Sequence, residues 1–373
     1  MPSAASLFFD TVLTYNGSSF TPRTLEAQSP AGTAFALLED TNDYLYLGHA
    51  ERFDMAIFDL DTSGSYGALT WQYSISTGTG WTTFIPASAR YQLDPDDNEG
   101  GQYDFSKDGV EEFPTNVLAG WAATAIDSIT KYWVRVSAAS VTTAATAKRI
   151  QMRAVNTYCT TADVFNFMQL GNVLGGSDFS ATTTPSKSTV EDYIQAAQSY
   201  IDYRTRKSWR PIYVAAEYHE FNLNGFKPMH SDLYKLIDIK VWSGATWESK
   251  TTGRKQDYFF VPDTGMIHFS RYFILPARFA SYNAPIWRWG GGEFTNPIKI
   301  EYVAGRDFHT DQREAGIVYD SARKLAAIDI VRSGDFGNLV VSGADRVMAT
   351  NRAESWSVDV DDRLESLRAF EVF

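Results

Sequence analysis

The sequence lacks most of the features that announce a chemistry. It holds one cysteine, Cys159, which excludes an internal disulfide and any cysteine-built structural metal cluster. Its five histidines, His49, His219, His230, His268 and His309, fall far apart and without the HExxH spacing that sets two ligands on one helix face. There is no Walker phosphate loop, no GxSxG nucleophile elbow and no dinucleotide fingerprint. The Gly290, Gly291, Gly292 run has neither the lysine nor the strand-to-helix context of a phosphate cradle. No run of about 18 apolar residues occurs, so no membrane helix or anchor is expected. The opening stretch lacks the basic leader and apolar core of a secretory signal. Positive charge is in deficit: 33 Lys plus Arg against 45 Asp plus Glu leave a net charge of -12, which removes any general footprint for nucleic acid. The expectation is a non-enzymatic chain with no catalytic residue, no metal and no cofactor.

What remains is apolar and aromatic material in two kinds of pattern. Hydrophobic residues make up 44% of the chain and aromatic rings 14%, enough for sizeable cores and a sign of sheet-rich packing, interfaces or stacking surfaces. From about Tyr44 to Met152 the apolar positions alternate. Phe53, Met55 and Ile57 keep a period of two, as do Leu69, Trp71, Tyr73 and Ile75, and then Tyr132, Val134 and Val136. Closely spaced turns favour antiparallel connections. The simplest architecture is a β-sandwich with Trp71 and Trp133 on an internal face.

Near residue 155 the period changes. Thr160 or Thr161 can cap a short helix containing Val164, Phe165 and Met168. A stronger helix follows, with Val190, Tyr193, Ile194, Ala197 and Ile201 on one stripe. Glu191 and Asp192 suit its first turn and a wet face, and Arg204, Arg206 and Lys207 its last. Strands are expected between Arg210 and Val303, then a long helix from Asp311 with Ala315, Val318, Ala322, Leu325 and Ala326 inward. The remainder reads as two short strands and a marginal helix from Asp361 to Ala369. The fold class is therefore α+β multidomain: a sandwich-like accessory domain over 1-155, an α+β domain over 156-345 with helices near 161-170, 189-208 and 311-332 and strands within 211-305, and an extended docking tail over 346-373.

The order from Tyr158 to Gly337 resembles the head-to-tail connector, or head-completion, proteins of tailed viruses. TADVFNFMQLG looks like their first short helix and TVEDYIQAAQSYIDYRTRKSW like their principal helix. LYKLIDIKVWSGATWES and DYFFVPDTGMIHF resemble the following hairpins, and IKIEYVAGRD the strand before the last long helix. The N-terminal part is similar to β-sandwich segments embedded in several tailed-virus structural proteins. The resemblance implies a virion protein of the neck, made in the host cytoplasm and assembled as a homo-oligomeric ring of about twelve copies. Its implied partners are the portal protein, a tail-completion or tail-terminator protein and a neck fibre or decoration protein, with genomic DNA passing through the channel without sequence-specific recognition.

Candidate interface residues are Trp287, Trp289, Trp356, Leu364, Phe370 and Phe373. The basic residues Arg204, Arg206, Lys207 and Arg210 either face DNA in a channel or complement the end of their helix. The acids at Asp94 and Asp96, with Asn98, have the odd spacing attractive to calcium. However, Glu99 stands where the turn of an EF-hand needs glycine, and the closing glutamate is missing. Asp59 and Asp61 imitate a carboxylate pair without the opposed geometry that glycoside hydrolysis requires. The alternative function is a carbohydrate- or receptor-binding virion protein that uses aromatic faces of the N-terminal sheet region.

Overall fold

The computed structural model describes residues 7-29, 33-76, 80-86, 103-113, 118-220, 225-230, 232-242, 246-261, 264-270, 297-306, 312-333 and 343-368. The chain is a mixed α+β, multidomain fold with several sheets. It divides into two compact units, one of Met1–Pro86, Asp104–Arg210 and Asp307–Phe373, the other of Ala87–Tyr103 and Pro211–Arg306.

The first unit begins with β1 (Thr11–Tyr15), β2 (Phe20–Pro22), α1 (Thr24–Gln28), β3 (Phe35–Ala36), β4 (Tyr44–His49), β5 (Phe53–Thr62), β6 (Ser65–Tyr66), β7 (Leu69–Ser74) and β8 (Trp81–Phe84). It continues with β9 (Gly109–Glu112), β10 (Thr124–Ile126), β11 (Ile129–Ala138), β12 (Val141–Thr143) and β13 (Thr146–Ala154). One sheet runs β2-β1-β4-β11-β7-β8 with β10 paired to β11, and a second runs β3-β13-β5-β9. β12 and β6 form a separate pair.

Because side chains alternate between the faces of a strand, the register fixes which residues share a surface. Leu47 opposes Val134 and Trp71 opposes Val136, so these four lie on one face of the first sheet. The rings of the two sheets meet there: Trp71 lies 6.5 Å from Phe58 of β5 and 5.5 Å from Phe113, and Phe58 meets Phe105 edge-on at 5.1 Å. Edge-to-face contacts of this kind add to the area that large rings already bury.

Trp133 corrects the expectation of one shared internal face. It is fully buried, but it has the opposite parity from Val134 and Val136 and therefore points to the other side of the sheet. Its indole lies over Gly48, where a Cβ would stand 2.4 Å from the ring, and its Nε1 donates to the Thr124 carbonyl at 2.8 Å. Only glycine leaves room for that ring against the strand.

The remaining helices of the first unit are α2 (Thr161–Phe167), α3 (Gly171–Leu174), α4 (Lys187–Thr205), α5 (Gln312–Arg332) and α6 (Gly343–Leu367). Thr160 opens α2 through a reciprocal capping box with Asp163, satisfying backbone donors that the first turn leaves free. Ser186 caps α4. Val190, Ile194 and Ile201 of α4 pack with Ala315, Val318, Ala322, Ala326 and Ile330 of α5 and with Val360, Leu364 and Leu367 of α6.

Here the structure overturns a second expectation. In place of two short strands and a marginal helix from Asp361 to Ala369 in an extended tail, Gly343–Leu367 form one helix of 25 residues. Its buried apolar residues, Ala353, Val360, Leu364 and Leu367, are mixed with the half-buried Trp356 and the exposed Val358, which blurs the helical stripe along the sequence. They are nevertheless spaced to meet the small-residue face of α5, and tertiary packing stabilises most protein helices more than propensity does.

The second unit holds β14 (Ile212–His219), β15 (Leu233–Trp242), β16 (Trp247–Ser249), β17 (Tyr258–Val261), β18 (Met266–Phe269) and β19 (Ile298–Ala304). Its main sheet runs β14-β19-β15-β16, and β17-β18 form a hairpin. Ile239, Val241, Tyr258, Ile267, Ile298, Ile300 and Tyr302 make its core.

Candidate functional site

A polar seam joins α4 to the segment that follows β13. The fully buried Gln198 accepts from the backbone N–H groups of Thr157 and Tyr158 at 2.6 and 2.9 Å and donates to the Val155 carbonyl at 3.0 Å. One side-chain amide thus satisfies three backbone groups of the chain segment joining sheet to helix, each of which would be costly if buried unpaired. The Tyr158 hydroxyl donates to Asp202 and accepts from Trp209 N–H at 2.9 Å. Arg210 Nε reaches the other oxygen of Asp202 at 3.0 Å. Burial raises the Asp202 pKa against the opposing charge of Arg210, and it raises the Tyr158 phenol well above its ordinary value.

These contacts locate the basic residues. Lys207 lies 3.8 Å from Glu314, Arg204 lies 3.8 Å from Asp361, and Arg210 is committed to Asp202. Arg206 ends α4 in the left-handed conformation at φ 54°. Glu191, expected on a wet face near the first turn, is instead buried and ion-paired with Arg52. The helix lies against the β-rich segment on that side, which no periodicity within the helix could reveal.

Among the interface candidates, Leu364 is enclosed in the helical core. Trp356 is half-buried, its ring 5.0 Å from that of Phe167, over which the Arg323 guanidinium sits at 4.8 Å. Trp287, Trp289, Phe370 and Phe373 lie outside the described residues, as do His309, Asp94, Asp96, Asn98 and the Gly290 run. α6 is tied to α5 by charge: Lys324 Nζ bonds both Asp320 and Asp359, and Arg363 reaches the same two carboxylates at 3.0 Å. Burial alone would raise Asp320, but bonds from Lys324 and Arg323 hold it below the usual carboxylate range. Asp359 is lowered by its bond from Lys324. Beside this lattice Tyr203 is 80% exposed and Val358 is 63% exposed, while Tyr200 donates to Asp361 at 2.8 Å. Among the described residues, Tyr200 and Tyr203 of α4 and Val358 of α6 are large apolar side chains left exposed, and the sequence did not single them out because neither helix shows which face the other leaves open.

The candidate acids resolve into cross-strand pairs, Asp59 with Arg149 at 3.1 Å and Asp61 with Lys148 at 2.8 Å. His49 is buried 3.7 Å from Asp10, and burial lowers its pKa. His219 Nε2 lies 2.6 Å from a Glu217 carboxylate oxygen, and His268 stacks on Phe259. Among the described residues no group of three or more His, Cys, Asp or Glu gathers to hold a metal ion. Burial raises the Cys159 thiol, which keeps it protonated and unreactive.

The remaining assembly is the outer face of the first sheet. Tyr15, Phe20, Tyr44, Tyr46 and Trp81 form a continuous chain of ring contacts, with centroids 4.8 to 6.4 Å apart. Arg135 lies among them, its guanidinium carbon 4.4 Å from the Tyr44 centroid and 4.1 Å from that of Trp81. Its Nε donates to Gln72 at 2.8 Å and its Nη1 to the Tyr46 hydroxyl at 3.1 Å. Tyr44 and Arg135 are far apart in sequence, and the pairing of β11 with β4 brings them together.

No protein-family model and no curated protein sequence matches the chain. Among solved structures, one described as "Neck of empty GTA particle computed with C6 symmetry" overlaps 57% of this chain and 93% of that chain, at 14% identity and a TM-score of 0.29.

Proposed function

We propose that the chain is a structural subunit of the neck of a tailed virus particle, forming a ring between portal and tail and lining part of the DNA path without reading sequence. The observation that carries this reading is the run from α2 to α5. A capped short helix, a long amphipathic helix, antiparallel strands and a second long helix follow one another in the order that the connector resemblance implies, with α2, α4 and α5 sharing one apolar core. In this reading the N-terminal sheets form a sandwich-type accessory module. The ring contact uses the α4–α6 side, where Tyr203 and Val358 project. A ring repeats one heterologous surface around an axis, so modest apolar contacts in each copy suffice when the rotation closes.

The test is assembly. Purified protein, alone and with the portal protein of the same particle, is sized by mass photometry and imaged by electron microscopy. Closed rings bound to portal are expected, and Tyr203→Asp with Val358→Asp should return the chain to monomers without changing its circular dichroism. A wild-type chain that stays monomeric and ignores the portal would sink the proposal.

A further inference from the structure

We infer that the outer face of the first sheet binds an acidic saccharide, with Arg135 taking the sugar carboxylate and Tyr44 and Trp81 flanking the ring. The inference is independent of ring formation. The positions that register on this face include Phe20 and Pro22, Leu13 and Tyr15, Tyr44 and Tyr46, Lys131, Trp133, Arg135 and Ser137, Thr70 and Gln72, and Trp81 and Thr83. Lys131 is paired to Asp10 at 2.6 Å, whereas Arg135 meets no carboxylate among the described residues, on a protein of net charge -12. A cation isolated in this way within an acidic molecule marks the charge of what it meets.

The geometry preorganises that cation. Two aromatic rings hold the guanidinium plane, and Gln72 and Tyr46 fix its rotation through Nε and Nη1. Nη2 makes no hydrogen bond among the described residues. An arginine so clamped has already lost its rotamer freedom, and Nη2 keeps its N–H groups to meet a carboxylate through charge-assisted hydrogen bonds.

The rest of the face suits a sugar better than a peptide. Tyr44 and Trp81 are half-buried and offer amphipathic ring edges, while Thr70 and Thr83 supply hydroxyl groups beside them and the Gln72 amide is held between Arg135 and Thr83. β4, β11 and β7 are interior strands, paired on both sides. Their backbone groups are spent in the sheet, and an extended peptide laid across the face would find none of the main-chain bonds that strand addition supplies. A sugar needs none: its C–H face stacks on the rings and its hydroxyls bond to side chains.

Isothermal titration calorimetry of the full chain with mannuronate and galacturonate hexamers, neutral mannohexaose and hexaglutamate tests this. At least one uronate hexamer should bind about tenfold or more tighter than mannohexaose. Arg135→Gln should abolish that preference, and Trp81→Leu, which keeps an apolar side chain over residue 135, should weaken both sugars. Near-ultraviolet circular dichroism checks that each variant keeps its packing. The inference is overturned if neither uronate binds at millimolar concentration, if mannohexaose or hexaglutamate binds as tightly as the uronates, or if Arg135→Gln binds like the wild type.

Discussion

The two halves of the first unit are held together by different physics. In the β-rich half, large rings from two sheets interlock: Phe53 meets Phe9, Phe113 and Trp121 edge-on at 5.0 to 5.7 Å, and Trp71 is enclosed by Phe58, Phe105 and Phe113. In the helical half aliphatic and alanine side chains of α4, α5 and α6 share the core with the rings of Tyr158, Phe165, Phe179 and Trp209, and α6 is also fastened by carboxylates and cations that remain partly in water. Ring packing is indifferent to pH and salt, whereas a charge lattice near the surface responds to both. The same chain therefore combines a rigid module with a helix whose attachment depends on conditions.

The largest expected effect comes from removing a ring. Trp71→Ala should cost about 3–5 kcal/mol, seen as a lower urea midpoint for the β-rich half. An unchanged midpoint would mean that the sheets do not rely on that contact. Next is the polar joint. Gln198→Leu strands two backbone donors and one acceptor in an apolar setting, each worth about 1–3 kcal/mol if left unsatisfied, and should uncouple sheet from helix as two unfolding transitions where the wild type shows one.

Acid separates the halves without mutation. Asp320 and Asp359 have folded pKa values below their ordinary ones, so their contribution is present above the unfolded carboxylate value of about 3.9 and is lost as pH falls through the lower folded values. Glu51, Glu112 and Asp202 are raised by burial, so their protonation in mild acid favours the folded state. Hydrogen exchange should therefore show α6 losing protection below about pH 4, before β5 and β13 do. Simultaneous loss would contradict the comparison. The smallest effect belongs to single exposed partners: Arg363→Ala should change stability by less than about 1 kcal/mol, and 1 M salt should shrink that difference further.

Much of the architecture was legible because local period is a local property. The strand at Phe53, Met55 and Ile57 and the α4 stripe of Val190, Ile194 and Ile201 lie where alternation and helical spacing put them. α6 was legible only in its last turns, where a marginal helix is expected from Asp361. Its buried residues Ala353, Val360, Leu364 and Leu367 are mixed with Trp356 and Val358, and they become a face only when α5 supplies the opposite surface. Trp133 was legible as buried but not as facing away from Trp71. That depends on parity along β11 and on the absence of a side chain at Gly48. The candidate site fared similarly. The basic residues at the end of α4 were visible, and Asp202 stands only 8 residues before Arg210, but the carboxylate partners Glu314 and Asp361 come from distant helices.

By itself the sequence determined the kinds of element, the absence of familiar catalytic motifs and the overall negative charge, because composition, period and motif spacing are written along the chain. Tertiary structure alone decided that Arg135 stands between Tyr44 and Trp81, that Gln198 binds sheet to helix and that the last 25-residue helix packs inward. Each of these depends on strand register or on one helix meeting another, and such contacts join residues whose separation along the chain carries no signal of their proximity.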